Sequence, residues 1–210
     1  MKRAISIPTL RSKKYVLLPF RDKWKNSIDN PEDRGSWIIW GNSGNGKSRF
    51  VMQLAEYLTN FGKVIYNSME EGTSYSFAKN VKDAGITTDK ILVVNESLKE
   101  LSVRLSSSRS PRIIIIDSIQ HAGFNKTDYT KFKRSHHNCL LIFISHADGK
   151  KPEGRTANFI RYDSAVKIYV EGYKAMVTSR YGGNEDFIIW PEGAAKYWGT
   201  TNSKTTDNDN

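Results

Sequence analysis

The segment Gly41-Asn42-Ser43-Gly44-Asn45-Gly46-Lys47-Ser48 satisfies the pattern G-x-x-x-x-G-K-[ST] at every position. Glycines let successive backbone N–H groups turn inward around phosphate oxygens, and a helix starting at the lysine aims its positive end at the same anion. Lys47 would neutralise β- and γ-phosphates, Ser48 would ligate Mg²⁺, and Arg49 follows in the same first helical turn. Asp117 closes the run Ile113-Ile114-Ile115-Ile116-Asp117. A carboxylate at the end of a buried strand beside a phosphate loop can hold Mg²⁺ through its waters. Glu70 and Glu71 follow the apolar segment ending in Asn67-Ser68-Met69. A carboxylate there can orient or deprotonate a water attacking the terminal phosphate, with Glu70 ahead of Glu71. The plain alternatives are an ordinary glycine turn, a capped strand end and two solvated loop acids. No Asn/Thr-Lys-x-Asp guanine-reading signature follows the loop, so the expected ligands are ATP and Mg²⁺.

Elements of the right kind flank these motifs. Ser36–Trp40 is short and apolar, as a strand covered on both faces should be. Lys47–Phe61 places Phe50, Val51, Leu54, Tyr57, Leu58 and Phe61 on one helical face, with Gly62 as a stop. Strands are predicted at Lys63–Ser68, Ile91–Asn95, Ile113–Asp117 and Cys139–Ser145. Helices are predicted at Ser74–Ala84 and after Ser97, where Glu100 completes a capping box. Alternating strands and helices imply an α/β fold with a mainly parallel sheet. Val166–Val170, Ala175–Arg180 and Phe187–Trp190 are separated only by turns, so they should form a C-terminal antiparallel hairpin extension. The expected organisation is a basic extension over 1–35, one ATPase core over 36–199 and a disordered polar tail over 200–210.

The chain has 210 residues and a formal net charge of +10. That length suits one domain. Residues 1–25 carry eight basic and one acidic residue, and residues 121–162 carry eight basic and three acidic, so the remainder is slightly acidic. Two basic segments suggest a polyanionic partner such as nucleic acid; a merely soluble surface is the bland alternative. No apolar run approaches the ~20 residues of a membrane span, and the N-terminus lacks a signal-peptide core. The expected setting is the cytoplasm, away from membranes. The single cysteine, Cys139, excludes an internal disulfide and a cysteine-based zinc module. His136 and His137 read as solvated loop residues.

The order of motifs resembles the RecA-like ATPases, most nearly the RadA branch, with DnaB-type helicases and KaiC as cousins. Residues 67–71 (NSMEE) resemble V-S-G-E-E, and 113–120 (IIIIDSIQ) resemble I-I-D-S-I-Q. Ser145-His146 resembles a Gly-His pair, and the spacing from there to Glu171-Gly172 nearly matches the family's. Ser179-Arg180-Tyr181-Gly182 resembles the end of K-N-R-F-G. The similarity covers about residues 36–191. It implies a RecA-like P-loop fold, with Glu70 as water-activating base and Asp117 as magnesium carboxylate. Gln120, Ser145 or His146 would sense the γ-phosphate, and Arg180 would reach a neighbouring subunit's site. Thr178 stands where the family has a lysine, and the segment from Asp117 to Ser145 is shorter than in RadA. No zinc module or protease-like domain accompanies the core, as in minimal proteins of phages and mobile elements.

In such assemblies the segments after these two strands line a central axis. They correspond to about 121–135 and 147–161, both expected as loops. Lys126, Lys131, Lys133, Arg134, Lys150, Lys151 and Arg155 would pair with phosphates, while Phe124, Tyr129 and Phe159 would stack on bases. The leading expectation is a self-assembling, single-stranded-DNA-binding ATPase of recombination, repair or replication, in a ring or filament. A hexameric helicase motor and a KaiC-like switch acting on a protein without DNA are the competing readings.

Overall fold

The computed structural model describes residues 4–199, so the tail expected over 200–210 lies outside the described residues. The chain opens with α1 (Ile7–Arg11) and α2 (Asp22–Ile28). An alternating series follows: β1 (Gly35–Gly41), α3 (Lys47–Leu58), β2 (Val64–Ser68), α4 (Tyr75–Asp83), β3 (Ile91–Val94) and α5 (Leu98–Leu105). It continues through β4 (Ile113–Asp117), α6 (Lys126–Ser135), β5 (Leu140–Ser145), a two-strand ribbon of β6 (Ala147–Asp148) and β7 (Lys151–Pro152), and α7 (Gly154–Asp163). The last elements are β8 (Val166–Glu171), β9 (Lys174–Ser179), β10 (Phe187–Ile188) and α8 (Pro191–Trp198).

Eight strands form one sheet in the order β10-β9-β8-β1-β5-β4-β2-β3. The pairs from β8 to β3 are parallel, and β9 and β10 add on antiparallel, as the turn-only connections required. Central strands are buried along almost their whole length because both faces are covered. Trp37, Ile39, Tyr66, Ile115 and Ile142 pack on one side with Phe50 and Leu54 of α3. Ile38, Trp40, Ile114 and Phe143 pack on the other with Leu101 of α5, Phe132 of α6 and Ile160 of α7. This period-2 alternation joins two helical layers to one sheet.

Several expectations need correction. Within 1–35, Leu18, Phe20, Trp24 and Ile28 are buried in the core. Trp24 stacks on Tyr57 at 5.0 Å and meets Phe187 at 4.2 Å. The apolar residues of 18–28 therefore make α2 and the residues just before it a structural cover, and only residues 4–17 have the exposure of an extension. The two expected loops are instead mostly the helices α6 and α7 with the β6–β7 ribbon. α6 is capped by the Asn125 side chain, which accepts from Asp128 N–H. Its buried side holds Tyr129 and Phe132, so the periodicity there is that of an amphipathic helix. His136 is buried against Phe132 and bonded to the Ser102 hydroxyl, rather than solvated. Helix α8 follows the hairpin extension, where no helix was predicted.

Candidate active site

The phosphate loop joins the end of β1 to α3. A Cβ at Gly41 would lie 2.4 Å from the Val170 carbonyl oxygen on the neighbouring strand, so only glycine fits. Gly46 has φ +92°, and a Cβ there would lie 2.8 Å from the Tyr173 ring; conformation and space both demand glycine. Its carbonyl accepts from Phe50 N–H at 2.9 Å, which begins α3. Asn45 Nδ2 donates to the Ser43 carbonyl at 3.2 Å within the loop, its Oδ1 accepts from Gly172 N–H at 2.9 Å, and the Asn45 carbonyl accepts from Tyr173 N–H at 3.1 Å. The loop is thereby fastened to the β8–β9 turn.

The acidic wall comes from the ends of neighbouring parallel strands. Ser68 pairs with Asp117 across β2 and β4. The Asp117 carbonyl then accepts from Met69 N–H at 2.7 Å and Glu70 N–H at 3.1 Å, which draws Glu70 over the end of β4. Tyr66 donates its hydroxyl proton to Asp117 Oδ2 at 2.6 Å. Burial raises the Asp117 carboxyl above its ordinary pKa, partly offset by the Tyr66 hydrogen bond and by Lys47, while Glu70 and Glu71 raise it further. Burial and Asp117 likewise hold Tyr66 well above its usual value, so it stays a neutral donor.

Lys47, Ser48, Glu70, Glu71 and Asp117 line one recess of about 30 Å³. It opens beside a cleft of about 330 Å³ lined by Asn42, Ser43, Gly44, Gly46, Arg49, His146 and Tyr173 along with the same lysine, serine and glutamates. The Ser48 hydroxyl and Asp117 carboxylate are hard oxygen donors around a space the size of one water or small ion, a donor set that fits Mg²⁺. The two glutamates part company. Glu71 accepts from the Ser76 hydroxyl at 2.7 Å at the start of α4. Glu70 Oε2 lies 3.4 Å from His146 Nε2 and 3.7 Å from His121 Nδ1.

Gln120 does not line the cleft. Its Nε2 donates to Ser145 Oγ at 2.9 Å and to the Glu153 carbonyl at 3.1 Å, and its Oε1 accepts from His146 N–H at 3.4 Å. It therefore ties the segment after β4 to the ends of β5 and the ribbon. Arg180 lies at the opposite end of the sheet from its own phosphate loop. Val166 at the start of β8 pairs with both Trp37 and Ser179, whereas Gly41 pairs with Val170. The Arg180 guanidinium is exposed and donates to the Tyr162 carbonyl at 3.1 Å.

The seven basic candidates have different surroundings. Lys150 and Lys151 are exposed on the ribbon, whose turn is anchored by Trp40 Nε1 donating to the Lys150 carbonyl at 3.1 Å, and Arg155 is exposed in the first turn of α7. Lys126 lies 5.4 Å from the Phe159 ring centroid. Lys133 is paired with Asp163, Lys131 borders a groove against α5, and Arg134 is exposed near the end of α6. Phe124 and Tyr129 are buried, and the Tyr129 hydroxyl donates to Asp163, so neither is free to stack on a base; Phe159 is exposed.

Three contributors were not anticipated. Tyr173 covers the phosphate loop and packs edge-on against Trp190 at 5.0 Å, while Arg49 lies over Trp190 at 5.4 Å. Tyr66 orients Asp117, and His121 approaches Glu70. Their only sequence signal was position, beside the hairpin glycine, inside a strand and directly after Gln120.

No family model matches the chain. Over 83 residues it is 31% identical to the DNA repair protein RadA of Aquifex aeolicus (strain VF5), a match covering 40% of this chain and 18% of that protein. The structure is similar to the flagellar accessory protein FlaH from Methanocaldococcus jannaschii, with a TM-score of 0.52 and 20% identity over 79% of this chain and 88% of that one. It is also similar to a second solved structure, an ATPase domain, with a TM-score of 0.50 and 13% identity over 73% and 80% of the two chains. The chain has a RecA-like P-loop ATPase fold. Within this RecA-like core the phosphate loop, Glu70, Glu71, Asp117 and His146 gather in the cleft at the carboxyl ends of the strands. The larger groove, about 890 Å³ between β3 and α5, holds none of them. Among the described residues, no helix is long and apolar enough to cross a membrane.

Proposed function

We propose that the protein hydrolyses ATP and assembles with copies of itself on single-stranded DNA in recombination, repair or replication. The observation that carries the ATPase reading is the convergence of Lys47, Ser48, Glu70 and Asp117 on one small recess. In this reading the loop amides and Lys47 hold the phosphates, while Ser48 and Asp117 hold Mg²⁺. When bound, Mg²⁺ would supply charge neutralisation on the phosphates. Glu70 takes a proton from the attacking water; Glu71, engaged by Ser76, does not. His146, on the cleft wall, reads the terminal phosphate, and Gln120 passes its position to the ribbon and α7 through Glu153.

Assembly follows from what the recess lacks. Lys47 is the lysine there, and Arg180 is held at the far end of the sheet, away from its own loop but exposed to a neighbour. A neighbour's arginine would complete the site, a contribution worth ~10³–10⁵ in rate for this class. DNA would meet the ribbon and the start of α7, where Lys150, Lys151 and Arg155 are exposed beside Phe159.

The test combines concentration, mixing and salt. Turnover per subunit should rise with protein concentration and with single-stranded DNA. Arg180→Ala should bind ATP and lose that rise, and mixing it with Glu70→Gln should restore some turnover at interfaces that pair an intact base with an intact arginine. Concentration-independent turnover by a verified monomer would remove the shared site. Absence of oligonucleotide binding at low salt would remove the DNA half and favour a switch acting on protein.

A further inference from the structure

Two of the four histidines converge on one carboxylate. Glu70 follows β2, His121 follows β4 and His146 follows β5, three strands adjacent in the sheet. One ligand atom from each lies within 4.8 Å of the other two. Glu70 Oε2 is 3.4 Å from His146 Nε2 and 3.7 Å from His121 Nδ1. The ring centroids of the histidines are 6.0 Å apart, with planes inclined at 64°, so the two imidazoles approach from different directions rather than stacking.

We propose that Glu70, His121 and His146 form a binding site for a borderline transition-metal cation of the Zn²⁺ class, and that filling it withdraws Glu70 from ATP hydrolysis. The second half rests on the function proposed above; the first half does not. A tetrahedral Zn²⁺ with bonds of about 2.0–2.2 Å sets its ligand atoms roughly 3.3–3.5 Å apart. Two of the three separations stand at or near that spacing, and the third is within 4.8 Å. Two imidazole nitrogens and one carboxylate oxygen favour Zn²⁺, Co²⁺ or Ni²⁺ over Mg²⁺, which prefers oxygen alone. This donor set is chemically distinct from the Ser48 and Asp117 pair. Three protein ligands would leave a fourth position open, and two of them, Glu70 and His146, line the phosphate cleft.

The surroundings suit coordination. Ser118 Oγ lies 2.8 Å from His121 Nδ1, the nitrogen that also faces Glu70, so a metal bound there would displace this hydrogen bond. Gln120 Oε1 accepts from His146 N–H at 3.4 Å, fixing the backbone that carries the second imidazole. The other two histidines act as internal contrasts. His136 is buried and bonded to Ser102, and His137 is exposed with Nδ1 near the Arg134 carbonyl. A carboxylate bonded to a dication is a poor proton acceptor, so occupation should stop turnover without expelling nucleotide.

The deciding experiment uses the untagged, metal-stripped full chain without nucleotide or Mg²⁺. Titration with Co²⁺ should give visible d–d absorption saturating at one equivalent and erased by Zn²⁺. His121→Ala, His146→Ala and the near-isosteric Glu70→Gln should each weaken Co²⁺ binding tenfold or more while keeping the wild-type circular dichroism and melting transition. His137→Ala should bind as the wild type does. No saturable signal, or unchanged affinity in folded His121 and His146 variants, overturns the site. In the second arm, buffered free Zn²⁺ should inhibit turnover in excess Mg²⁺ while a fluorescent ATP analogue stays bound, with the inhibition constant rising at least tenfold in His121→Ala. Co²⁺ binding without zinc inhibition overturns the regulatory half alone. A protein that never turns over ATP sinks the hydrolysis reading, and the cobalt titration still decides the site.

Discussion

The cleft and the α6–α7 face both concentrate charge, and they dispose it in opposite ways. In the cleft, Lys47, Ser48, Glu70, Glu71 and Asp117 come from positions as far as 70 residues apart in sequence and meet around one recess. On the α6–α7 face, Lys126, Lys131, Lys133 and Arg134 are near neighbours in sequence and engage different surroundings: one lies over Phe159, one borders α5, one pairs with Asp163 and one stays exposed. The cause is geometric. Adjacent parallel strands end at one level and deliver their next residues to one place, whereas a helix turns each successive residue by about 100°. A run of charge is therefore weak evidence for a patch, and a series of strand ends is strong evidence for a site.

If this contrast is right, single changes in the cleft should act almost as all-or-none events and changes on the basic face should be graded. Lys47→Ala should weaken ATP binding by ~10²-fold, the scale of lost charge-assisted hydrogen bonds, and turnover should disappear with it. Calorimetry with ATP measures this, and an unchanged affinity would move the phosphates elsewhere. Glu70→Gln should keep ATP binding and lose ~10²-fold or more in turnover, whereas Glu71→Gln should retain most activity. The reverse ranking would exchange the two glutamates. On the basic face, replacing Lys150, Lys151 or Arg155 with alanine should each lower the salt dependence of oligonucleotide binding by about one unit of slope. Lys131→Ala and Lys133→Ala should change it less, and equal effects at all five positions would restore a continuous patch.

The smallest effect concerns stability. Burial raises Asp163, but hydrogen bonds from Lys133 and Tyr129 and the nearby charge of Lys133 outweigh it, so its carboxyl is held below the ordinary value. The pair's contribution is thus present above the ordinary aspartate pKa and is lost as pH falls through the lowered one. Lys133→Ala should cost about 1 kcal/mol or less near neutrality, because solvent screens a partly exposed pair. Denaturant melts should show that deficit shrinking in acid. A deficit that grows on acidification would contradict the sign.

The phosphate loop was legible because its chemistry is local. Eight consecutive residues state the backbone geometry, and the apolar runs on either side state the strand and helix. Asp117 and Glu70 were legible as strand-end carboxylates, and the parallel order brought them together. The capping box at Ser97 and Glu100 stands as expected, with Glu100 accepting from Ser97 N–H at 2.9 Å. What stayed hidden depended on partners far away in sequence. Phe20 and Trp24 sit among lysines and arginines, and their burial is visible only once Tyr57 and Phe187 face them. The helical spacing of Tyr129 and Phe132 was present but masked by the charge around it. Tyr66 hides in a strand whose other residues are also apolar or polar without pattern, and its role appears only when Asp117 arrives beside it. His121 had no pattern of its own.

The fastening of Asn45 to the β8–β9 turn makes that hairpin a ruler. One end is hydrogen-bonded to the phosphate loop, and the other ends at Arg180, with six residue pairs between. At the rise of a β-strand this spans about 20 Å. In the proposed assembly, the phosphate loop and Arg180 of one subunit would be held apart by ladder hydrogen bonds rather than by a flexible linker. Adding or removing two residues on each strand would preserve the inward and outward alternation and move the arginine by roughly 7 Å. If the proposed assembly forms, the length of this hairpin would set the step between its successive subunits.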